Sequence, residues 1–381
     1  MNYLIKDTTL TAIGDAVRAK GNTEDKILVS DLATAISNLP TGGGGGGVEV
    51  EPIILTGNCQ YSCGGAIAGA YIGLYGNTIT TQKISDLSYM CKDYIGESIP
   101  FDLNCVTTAS VGANYVFDGA KNLKVLPKIN NFKPSKMGSF FNNCYNLRTI
   151  PEDFASNWDW SSFHTNYYGD YTAFFQNCYS LRSIPQTLLK ELWSGATTSS
   201  YVVSKMFYSC YALDEINGFN FDEAVEWKNN VFSNTFAYCT KLSNLIFAVN
   251  EDGAPKIAKW KSQTIDLSFY AGYSISTNYF TNYNSGLMNS NQIYDDATYQ
   301  ERKNGDWFSA YMIYSRYNHD SAVNTINSLP DTSAYLATAG GTNTIKFKGA
   351  AGSKTDGGAI NTLTEEEIAV ATAKGWTVSL V

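Results

Sequence analysis

The stretch Phe140-Phe-Asn-Asn-Cys144-Tyr-Asn-Leu147-Arg-Thr-Ile150-Pro151 is repeated along this chain, and its repetition decides the fold. The position held by Cys144 can be followed through five copies, whose spacings are 24, 34, 32 and 29 residues. These positions are Ala120, Cys144, Cys178, Cys210 and Cys239. A unit of this size cannot bury its apolar side alone, so the repetition predicts that successive units stack.

The copies share apolar residues at fixed distances from the cysteine. Phenylalanine lies three residues before it, leucine three after it and isoleucine six after it. Residues three apart share one face of a helical turn, so each unit is expected to be one helical turn followed by a short strand. The predicted repeat core is Phe141, Cys144, Leu147, Ile150, Phe175, Cys178, Leu181, Ile184, Phe207, Cys210, Leu213, Ile216, Cys239 and Leu242.

The repeat resembles leucine-rich repeats of the BspA-like kind, in which Ala-Phe-x-x-Cys-x-x-Leu-x-x-Ile marks each unit. Ala173-Phe-Phe-Gln-Asn-Cys178 and Lys205-Met-Phe-Tyr-Ser-Cys210 follow that pattern closely, and the resemblance covers roughly residues 85–270. It implies an α/β solenoid with an irregular leucine-rich repeat body.

Residues 1–40 have the pattern of a helical hairpin. Leu10, Ile13 and Val17 are spaced as on one helix face, and a second short helix is expected after them. So small a hairpin needs a partner to be stable. The segment resembles a short N-terminal module of bacteriophage tail and baseplate-associated proteins, except at Gly14, where that module has alanine. The resemblance implies attachment to other phage tail or baseplate proteins through residues 1–40.

The composition of the rest of the chain predicts four further parts. The predicted parts are a glycine linker at 41–47, a strand-rich start of the body at 48–114, the leucine-rich repeat solenoid with aromatic insertions at 115–319, and a C-terminal capping unit at 320–381. Within the second part, Gly64 to Gly76 is too short and too rich in glycine to span a membrane. We expect it to form a close-packed pair of strands.

Residues that favour the start or the end of a helix define the predicted elements of the capping unit. The expected elements are a helix from Asp320, as N-cap, to Pro330, a strand at 343–349, a helix at 365–374 with a Thr364–Glu367 capping box, and a strand at 376–380. The sequence from Leu363 to Val378 resembles the C-terminal unit of phage-encoded leucine-rich repeat proteins. Such an α/β cap covers the apolar end that a solenoid otherwise exposes.

Charge and composition argue against nucleic-acid binding, a membrane span and a secretory signal. The formal net charge of −8 and the pI near 4.9 disfavour nucleic acid. No apolar run reaches the length of a membrane span, and the N-terminus lacks the pattern of a secretory signal. Tyrosine is abundant, with 26 residues among many small polar ones. That composition suits a recognition surface and also extended β-rich structural proteins.

The eight cysteines are expected to be reduced and structural. Four of them occupy the inward repeat position, where free cysteine behaves as a small hydrophobe. Cys59 and Cys63 have no second ligand pair at zinc-site spacing, and the chain has two histidines, His164 and His319. We therefore expect no metal and no cofactor.

Aromatic residues alternate with small polar ones in an insertion of the repeat. A sugar-binding surface uses flat rings and short polar groups in this way, whereas the alternative is that the rings pack the insertion onto the body. The candidate binding residues are Trp158, Trp160, Tyr167, Tyr168 and Tyr171. The same two interpretations apply to a tyrosine-rich patch at 269–317. Tyr145, Tyr179 and Tyr211 are expected to form a self-stacking ladder.

The sequence gives little indication of a catalytic site. No nucleophile motif accompanies the two histidines, so the chain is not expected to be an enzyme. A polysaccharide depolymerase would need two facing carboxylates, and pairs such as Asp295-Asp296 and Asp222-Glu223 occur on any acidic surface.

These features predict a bacteriophage tail or baseplate structural protein, specifically a peripheral fibre or receptor-binding component that recognises the host cell surface. It would be a homo-oligomer in the virion, assembled in the host cytoplasm, with a host cell-wall glycan or surface protein as its target. One alternative is a purely architectural tail component that contacts other virion proteins. Another is a bacterial surface adhesin with leucine-rich repeats, which the lack of a signal sequence disfavours.

Overall fold

The structure is a computed structural model, and it describes residues 53–163, 173–194, 203–227, 231–239, 242–268, 319–347 and 363–381. Several predicted features lie outside the described residues. They are the attachment module at 1–40, the glycine linker at 41–47, the tyrosine-rich patch at 269–317, and Tyr167, Tyr168 and Tyr171 of the aromatic insertion.

The described chain consists of short strands and a few helices. The strands are β1 (Ile53–Asn58), β2 (Ile79–Asp86), β3 (Leu103–Asn104), β4 (Val111–Gly112), β5 (Ile129–Asn130), β6 (Pro134–Lys136), β7 (Glu215–Phe219), β8 (Glu226–Trp227), β9 (Asn244–Phe247), β10 (Lys259–Trp260), β11 (Thr264–Asp266), β12 (Asn343–Phe347) and β13 (Trp376–Leu380). The helices are α1 (Gly65–Tyr75), α2 (Gln186–Ser194), α3 (His319–Ser328), α4 (Ser333–Ala339) and α5 (Glu365–Ala373), with 3-10 turns at Gly76–Thr78 and Trp160–Ser162.

The described strands form five small sheets. Their orders are β1-β2-β4-β6, β3-β5, β7-β9, β8-β10 and β11-β12-β13. Each of these strand pairings is parallel. Parallel pairing between short strands of successive units is what stacking of the repeat requires.

Each repeat unit contains a turn segment, the six residues that end at the cysteine position, such as 139–144. Its first and fifth residues have positive φ, 52° at Ser139 and 61° at Asn143. Positive φ interrupts a right-handed helix, so the expected helical turn is wrong. The segment is instead a run of tight turns, in which the N–H groups of Asn142 and Cys144 donate three residues back, at 3.2 and 3.1 Å.

Backbone hydrogen bonds join the turn segments of neighbouring units in one direction. The N–H of Phe141 donates to the carbonyl of Phe174 at 2.9 Å, and that of Asn143 donates to Gln176 at 2.8 Å. Equivalent bonds run from Cys63 to Met90, Cys91 to Val116, Phe117 to Phe140, Phe175 to Met206 and Phe207 to Thr235. The tight turns thus hold each unit in register with the next one.

Residues after the cysteine position donate in the opposite direction. The N–H of Ser180 donates to the carbonyl of Tyr145 at 3.2 Å, and that of Arg182 donates to Arg148 at 2.9 Å. Both acceptors lie one unit back. Each unit is therefore bonded forwards through its turn segment and backwards through the residues that follow it.

The turn geometry reveals two units that the sequence repeat does not show. Tyr89 and Asp93 have φ of 61° and 57°, and Tyr61 and Gly65 have φ of 60° and 78°. In both units a cysteine occupies the place of the repeat phenylalanine, which hides the pattern. The stack therefore begins inside the strand-rich segment at 48–114.

A column of phenylalanine rings fills the centre of the stack. The rings three residues before the cysteine position lie nearly parallel, with neighbouring centroids 5.4, 5.7, 5.8 and 5.9 Å apart. This column is Phe117, Phe141, Phe175, Phe207 and Phe236. All the predicted repeat-core side chains are buried except Ile184, which is half-buried. Burial of this apolar surface is the main stabilising term for the stack.

The stretch from Gly64 to Gly76 contains helix α1, and the predicted strand pair is wrong. Its small residues allow the helix to pack closely against the second described unit. A Cβ atom placed on Gly69 would lie 2.6 Å from Cγ1 of Ile95, and one on Gly76 would lie 2.2 Å from Cγ of Pro100. Glycine disfavours a helix by its backbone freedom, but here the close contact outweighs that preference.

The capping unit has the elements that its signals predict. The Thr364–Glu367 capping box is present, with hydrogen bonds of 2.8 and 3.2 Å between backbone and side chain. Gly375, with φ of 82°, separates α5 from the last strand, β13. Helix α3 begins at His319, so Asp320 lies in its first turn and is not the N-cap.

Buried polar side chains join the capping unit to the repeat stack. The hydroxyl of Thr325 on α3 donates to the carbonyl of Leu245 on β9 at 2.8 Å. Asn343 at the start of β12 is fully buried. Its Oδ1 accepts the N–H of Gln263 and its Nδ2 donates to the carbonyl of Trp260, both at 3.0 Å. These bonds fix the orientation of the cap on the last described strands of the stack.

Candidate recognition surface

Trp158, one of the candidate sugar-binding residues, lies in the core. Its exposed fraction is 7 %, and its Nε1 donates to the carbonyl of Ile129 at 3.2 Å. Its ring meets the ring of Phe132 edge-on, with centroids 4.8 Å apart. A ring enclosed in this way has no free face for a sugar, so Trp158 packs the insertion onto the stack.

Trp160 is partly exposed and stands at the start of a 3-10 turn. Its ring lies 5.3 Å from that of Trp158 and 5.2 Å from that of Phe163. The two tryptophan planes are tilted by 41°, so they do not form one flat platform. A binding role for Trp160 and for the three tyrosines of the insertion stays a prediction.

The tyrosines that follow the repeat cysteines form a column inside the protein, with the first two rings stacked and the third tilted by 33°. Tyr145 and Tyr179 have centroids 4.5 Å apart, and Tyr179 and Tyr211 have centroids 5.0 Å apart. All three are buried. The ammonium group of Lys121 lies 5.6 Å from the ring centroid of Tyr145, a cation–π contact that covers the first ring. This ladder packs the stack and offers little surface to a ligand.

A second tyrosine column lies on the surface of the first described units. Tyr61, Tyr89 and Tyr115 are the first residues of three successive turn segments. Their ring centroids are 4.9 and 5.0 Å apart, with interplanar angles of 15° and 9°. All three side chains are partly exposed. Because the rings hold one another in place, binding of a partner would cost little additional side-chain entropy.

The backbone at these tyrosines is strained. Their φ values are 60°, 61° and 59°, a region that bulky side chains rarely adopt. Other units have smaller or more flexible residues at the same position, such as Ser139 and Lys205. Positive φ at this position therefore belongs to the turn geometry of the repeat, and the tyrosines adopt it together with the other units.

The hydroxyl groups of two of these tyrosines are available to a partner. Within the part of the chain that the structure describes, no residue hydrogen-bonds the hydroxyl of Tyr89 or Tyr115. Desolvation and the neighbouring rings of Tyr115 and Tyr61 raise the pKa of Tyr89. Its phenol therefore stays neutral at physiological pH, able both to donate and to accept.

A row of polar side chains is preorganised by its own hydrogen bonds. The carboxylate of Asp118 is paired with the ammonium group of Lys92 and accepts from the amides of Asn142 and Asn143, at 2.9 and 3.1 Å. The amide of Asn177 donates to Oδ1 of Asn143 at 2.9 Å. The row crosses four successive units, so its groups hold fixed positions along the stack.

The tyrosine column and the polar row lie next to each other, since the backbone N–H groups of Lys92 and Asp118 donate to the carbonyls of Tyr89 and Tyr115 at 3.2 and 3.3 Å. Stacked rings hide their faces from solvent, so this surface presents ring edges, hydroxyls and amides. These groups can form hydrogen bonds to a hydroxyl-rich or amide-rich partner. We call the column and the row together the tyrosine face.

Possible metal ligands and carboxylate pairs also lie among the described residues. The described residues contain no group of three or more histidine, cysteine, aspartate or glutamate side chains that could hold a metal ion. Asp222 accepts the N–H of Ala224 at 2.9 Å, and Glu223 lies 3.6 Å from the ammonium group of Lys256. Both carboxylates thus have local partners, and the Asp295-Asp296 pair lies outside the described residues. None of the described helices is long and apolar enough to cross a bilayer.

Comparisons of the chain with protein-family models, with curated proteins and with solved structures gave no match. The leucine-rich repeat and bacteriophage resemblances therefore rest on the sequence motifs alone.

Sequence reasoning missed the tyrosine face, although the sequence contains a signal for it. Tyr61, Tyr89 and Tyr115 each lie two residues before an interior column position. That position is cysteine in the first two cases, so an alignment on phenylalanine does not find them. Aligning the units by turn geometry brings the three tyrosines into one column.

Proposed function

We propose that this protein is a structural component of a bacteriophage tail or baseplate, a peripheral fibre or receptor-binding protein that recognises the host cell surface through the tyrosine face. The observation that carries the proposal is the partly exposed stack of Tyr61, Tyr89 and Tyr115 beside a hydrogen-bonded polar row. Such a surface suits a host cell-wall glycan, because sugar hydroxyls pair with phenol and amide groups.

Three features of the chain support this proposal. Residues 1–40 resemble a phage attachment module, and the glycine run after them is the composition of a flexible tether. The parallel pairing and the two-way backbone bonds are those expected of a leucine-rich repeat solenoid, which would present the tyrosine face rigidly. In this proposal the protein is part of the virion, and copies of it together strengthen weak binding to a repeating surface.

The competing function is purely architectural, with the tyrosine face contacting another virion protein. The burial of Trp158 favours this architectural function, because it shows that part of the aromatic insertion packs against the fold. A density map of the intact particle separates the two: an exposed face at the distal tip supports recognition, and a covered face supports architecture.

The recognition experiment replaces Tyr61, Tyr89 and Tyr115 together by serine, the residue that another unit has at Ser139. We expect binding to purified cell-wall carbohydrate to fall at least tenfold while the melting temperature changes little. The matched control replaces Tyr208 and Tyr238, a T-shaped and partly exposed pair elsewhere on the stack. Equal loss in both variants, or no loss in the first, would remove the tyrosine face as the site.

The attachment experiment deletes residues 1–40. If they join the protein to the particle, the truncated protein should fold, stay in solution and be missing from assembled particles. Incorporation at the wild-type level would place the attachment elsewhere in the chain.

A further inference from the structure

Cys63 and Cys91 occupy equivalent positions in the first two described units. Both lie three residues before the cysteine position, where later units have the stacked phenylalanines. The N–H of Cys63 donates to the carbonyl of Met90 at 2.8 Å, and that of Gly65 donates to Lys92 at 2.9 Å. These two bonds bracket the pair, so Cys63 lies directly opposite Cys91 on the neighbouring unit.

This register gives a separation that a disulfide can span. Neighbouring chains bonded in this way lie ~4.8 Å apart, within the range of about 4.4–6.8 Å between the Cα atoms of disulfide-bonded cysteines. Burial raises the pKa of the Cys91 thiol, and the neighbouring Cys63 thiol raises it further. Both are buried, with exposed fractions of 1 % and 0 %.

The repeat cysteines have the same spacing along the stack but a different thiol contact. The Sγ atoms of Cys144 and Cys178 each donate to a backbone carbonyl of the preceding unit, both at 3.1 Å. Cys210 and Cys239 do the same at 3.0 Å. The thiols of these four cysteines thus donate to the backbone, whereas among the described residues the thiols of Cys63 and Cys91 have no such backbone acceptor.

We propose that Cys63 and Cys91 are a redox pair, which forms a reversible disulfide that ties the first described unit of the stack to the second. Oxidised glutathione is an adequate oxidant. The thiolate of one cysteine attacks a glutathione sulfur, an S–S bond forms to the protein, and one glutathione thiolate leaves. The second cysteine thiolate then attacks the protein sulfur of that mixed disulfide and releases the other glutathione. Two protein thiols are oxidised, and one glutathione disulfide is reduced to two thiols that take up the protons.

Oxidation is slow because the pair is enclosed. Burial raises the pKa of the Cys91 thiol, which lowers the fraction of reactive thiolate. Access to the pair therefore requires local opening of the stack. Once formed, the bond opposes that opening.

The test incubates the full chain with oxidised and reduced glutathione at a fixed ratio, then maps disulfides by peptide mass spectrometry. A second sample is refolded from denaturant in the same buffer, so that access does not limit the result. We expect one linked peptide pair, Cys63–Cys91, in both samples. We also expect a melting temperature about 5 °C above that of the reduced protein. Cys144 and Cys178 are the internal control and should stay reduced.

Two variants complete the test, Cys91→Ser and Cys63→Ala. Each should remove both the linked peptide and the gain in melting temperature, while melting under reducing conditions shows that the variant is folded. The proposal is overturned if neither sample contains the Cys63–Cys91 link. It is equally overturned if Cys59–Cys63 is the dominant link, or if the repeat cysteines are oxidised to the same extent.

Discussion

Each repeat cysteine contributes a hydrogen bond as well as apolar volume. Cys178 is fully buried, and its thiol donates to the carbonyl of Phe141 in the unit before. Alanine at this position loses both the sulfur and the donor, whereas serine keeps a donor in a smaller volume. The thiol therefore explains why cysteine recurs at a site that a small hydrophobe could otherwise fill.

We expect Cys178→Ala to lower the free energy of unfolding by about 1 kcal/mol, the worth of one hydrogen bond and a small cavity. Cys178→Asp should cost several times more, because a carboxylate would be buried without a partner. Denaturant unfolding measures both. Burial also raises the pKa of the Cys178 thiol, so a bulky thiol reagent should label it slowly in the folded protein. Rapid labelling would show that the site is open.

His319 links the starts of α3 and α5 in a pH-dependent way. Its Nδ1 lies 3.3 Å from Asp320 and its Nε2 lies 3.1 Å from Glu367. The hydrogen bond to Asp320, and then that to Glu367, raise the pKa of His319. The pKa of Glu367 is lowered, first by the N–H of Thr364 and then by His319.

These shifts have opposite consequences for stability. A raised histidine pKa gives stability that is complete below the unfolded pKa and is lost as pH rises through the folded one. A lowered glutamate pKa gives stability that is lost as pH falls. The capping unit should thus be most stable at mildly acidic pH, between the two pKa values. Melting curves from about pH 5 to pH 9 should show a decline above neutrality that His319→Gln reduces. An unchanged decline in the variant would assign it to other groups.

At the scale of elements, α1 shows how packing decides the effect of a glycine. An exposed glycine within a helix costs about 1 kcal/mol relative to alanine. Gly73 is exposed, and a Cβ placed on it would meet nothing within 4 Å. A Cβ on Gly69 would lie 2.6 Å from Cγ1 of Ile95. The same substitution should therefore have opposite signs four residues apart.

We expect Gly73→Ala to raise the free energy of unfolding by about 1 kcal/mol. Gly69→Ala should lower it by about 1 kcal/mol or more, because Ile95 must move out of its place. The two variants control for each other in one unfolding experiment. Stabilisation by both would mean that α1 does not pack against the second unit as closely as described.

At the scale of the whole molecule, the cap depends on a few buried amides. Asn343 makes three side-chain hydrogen bonds, to Gln263, Trp260 and Thr332. We expect Asn343→Leu to cost about 3 kcal/mol or more, because it leaves these partners buried and unpaired. Asn324→Ala is the control, since Asn324 is exposed and bonds Asn244 at 3.3 Å. Tryptophan fluorescence should detect the loosened cap, as Trp260 and Trp376 meet beneath it. Equal effects of the two variants would argue against the buried amide network.

The predictability of this fold differs between its parts for physical reasons. Local signals predict local structure, so the capping box at Thr364 and the burial of the repeat core can be read from the sequence. Cys63 and Cys91 hide two units because they replace an apolar ring by a small apolar side chain at an equivalent position. The glycines of α1 predict an interrupted helix. The contact with Ile95 that makes glycine favourable there cannot be seen in the sequence. The contacts of Asn343 join residues about eighty positions apart, beyond the reach of any local pattern. The tyrosine face depends on the register between units, which only the stacked structure supplies.

The opposed directions of the backbone hydrogen bonds have an electrostatic consequence. In an α-helix all peptide dipoles point the same way and sum to a charge separation between its ends. In this stack the dipoles of the turn segments point one way, and those of the residues after the cysteine position point the other way. The two sets of moments therefore oppose each other within a unit. Such a stack accumulates less charge separation between its ends than a helix with the same number of aligned peptides.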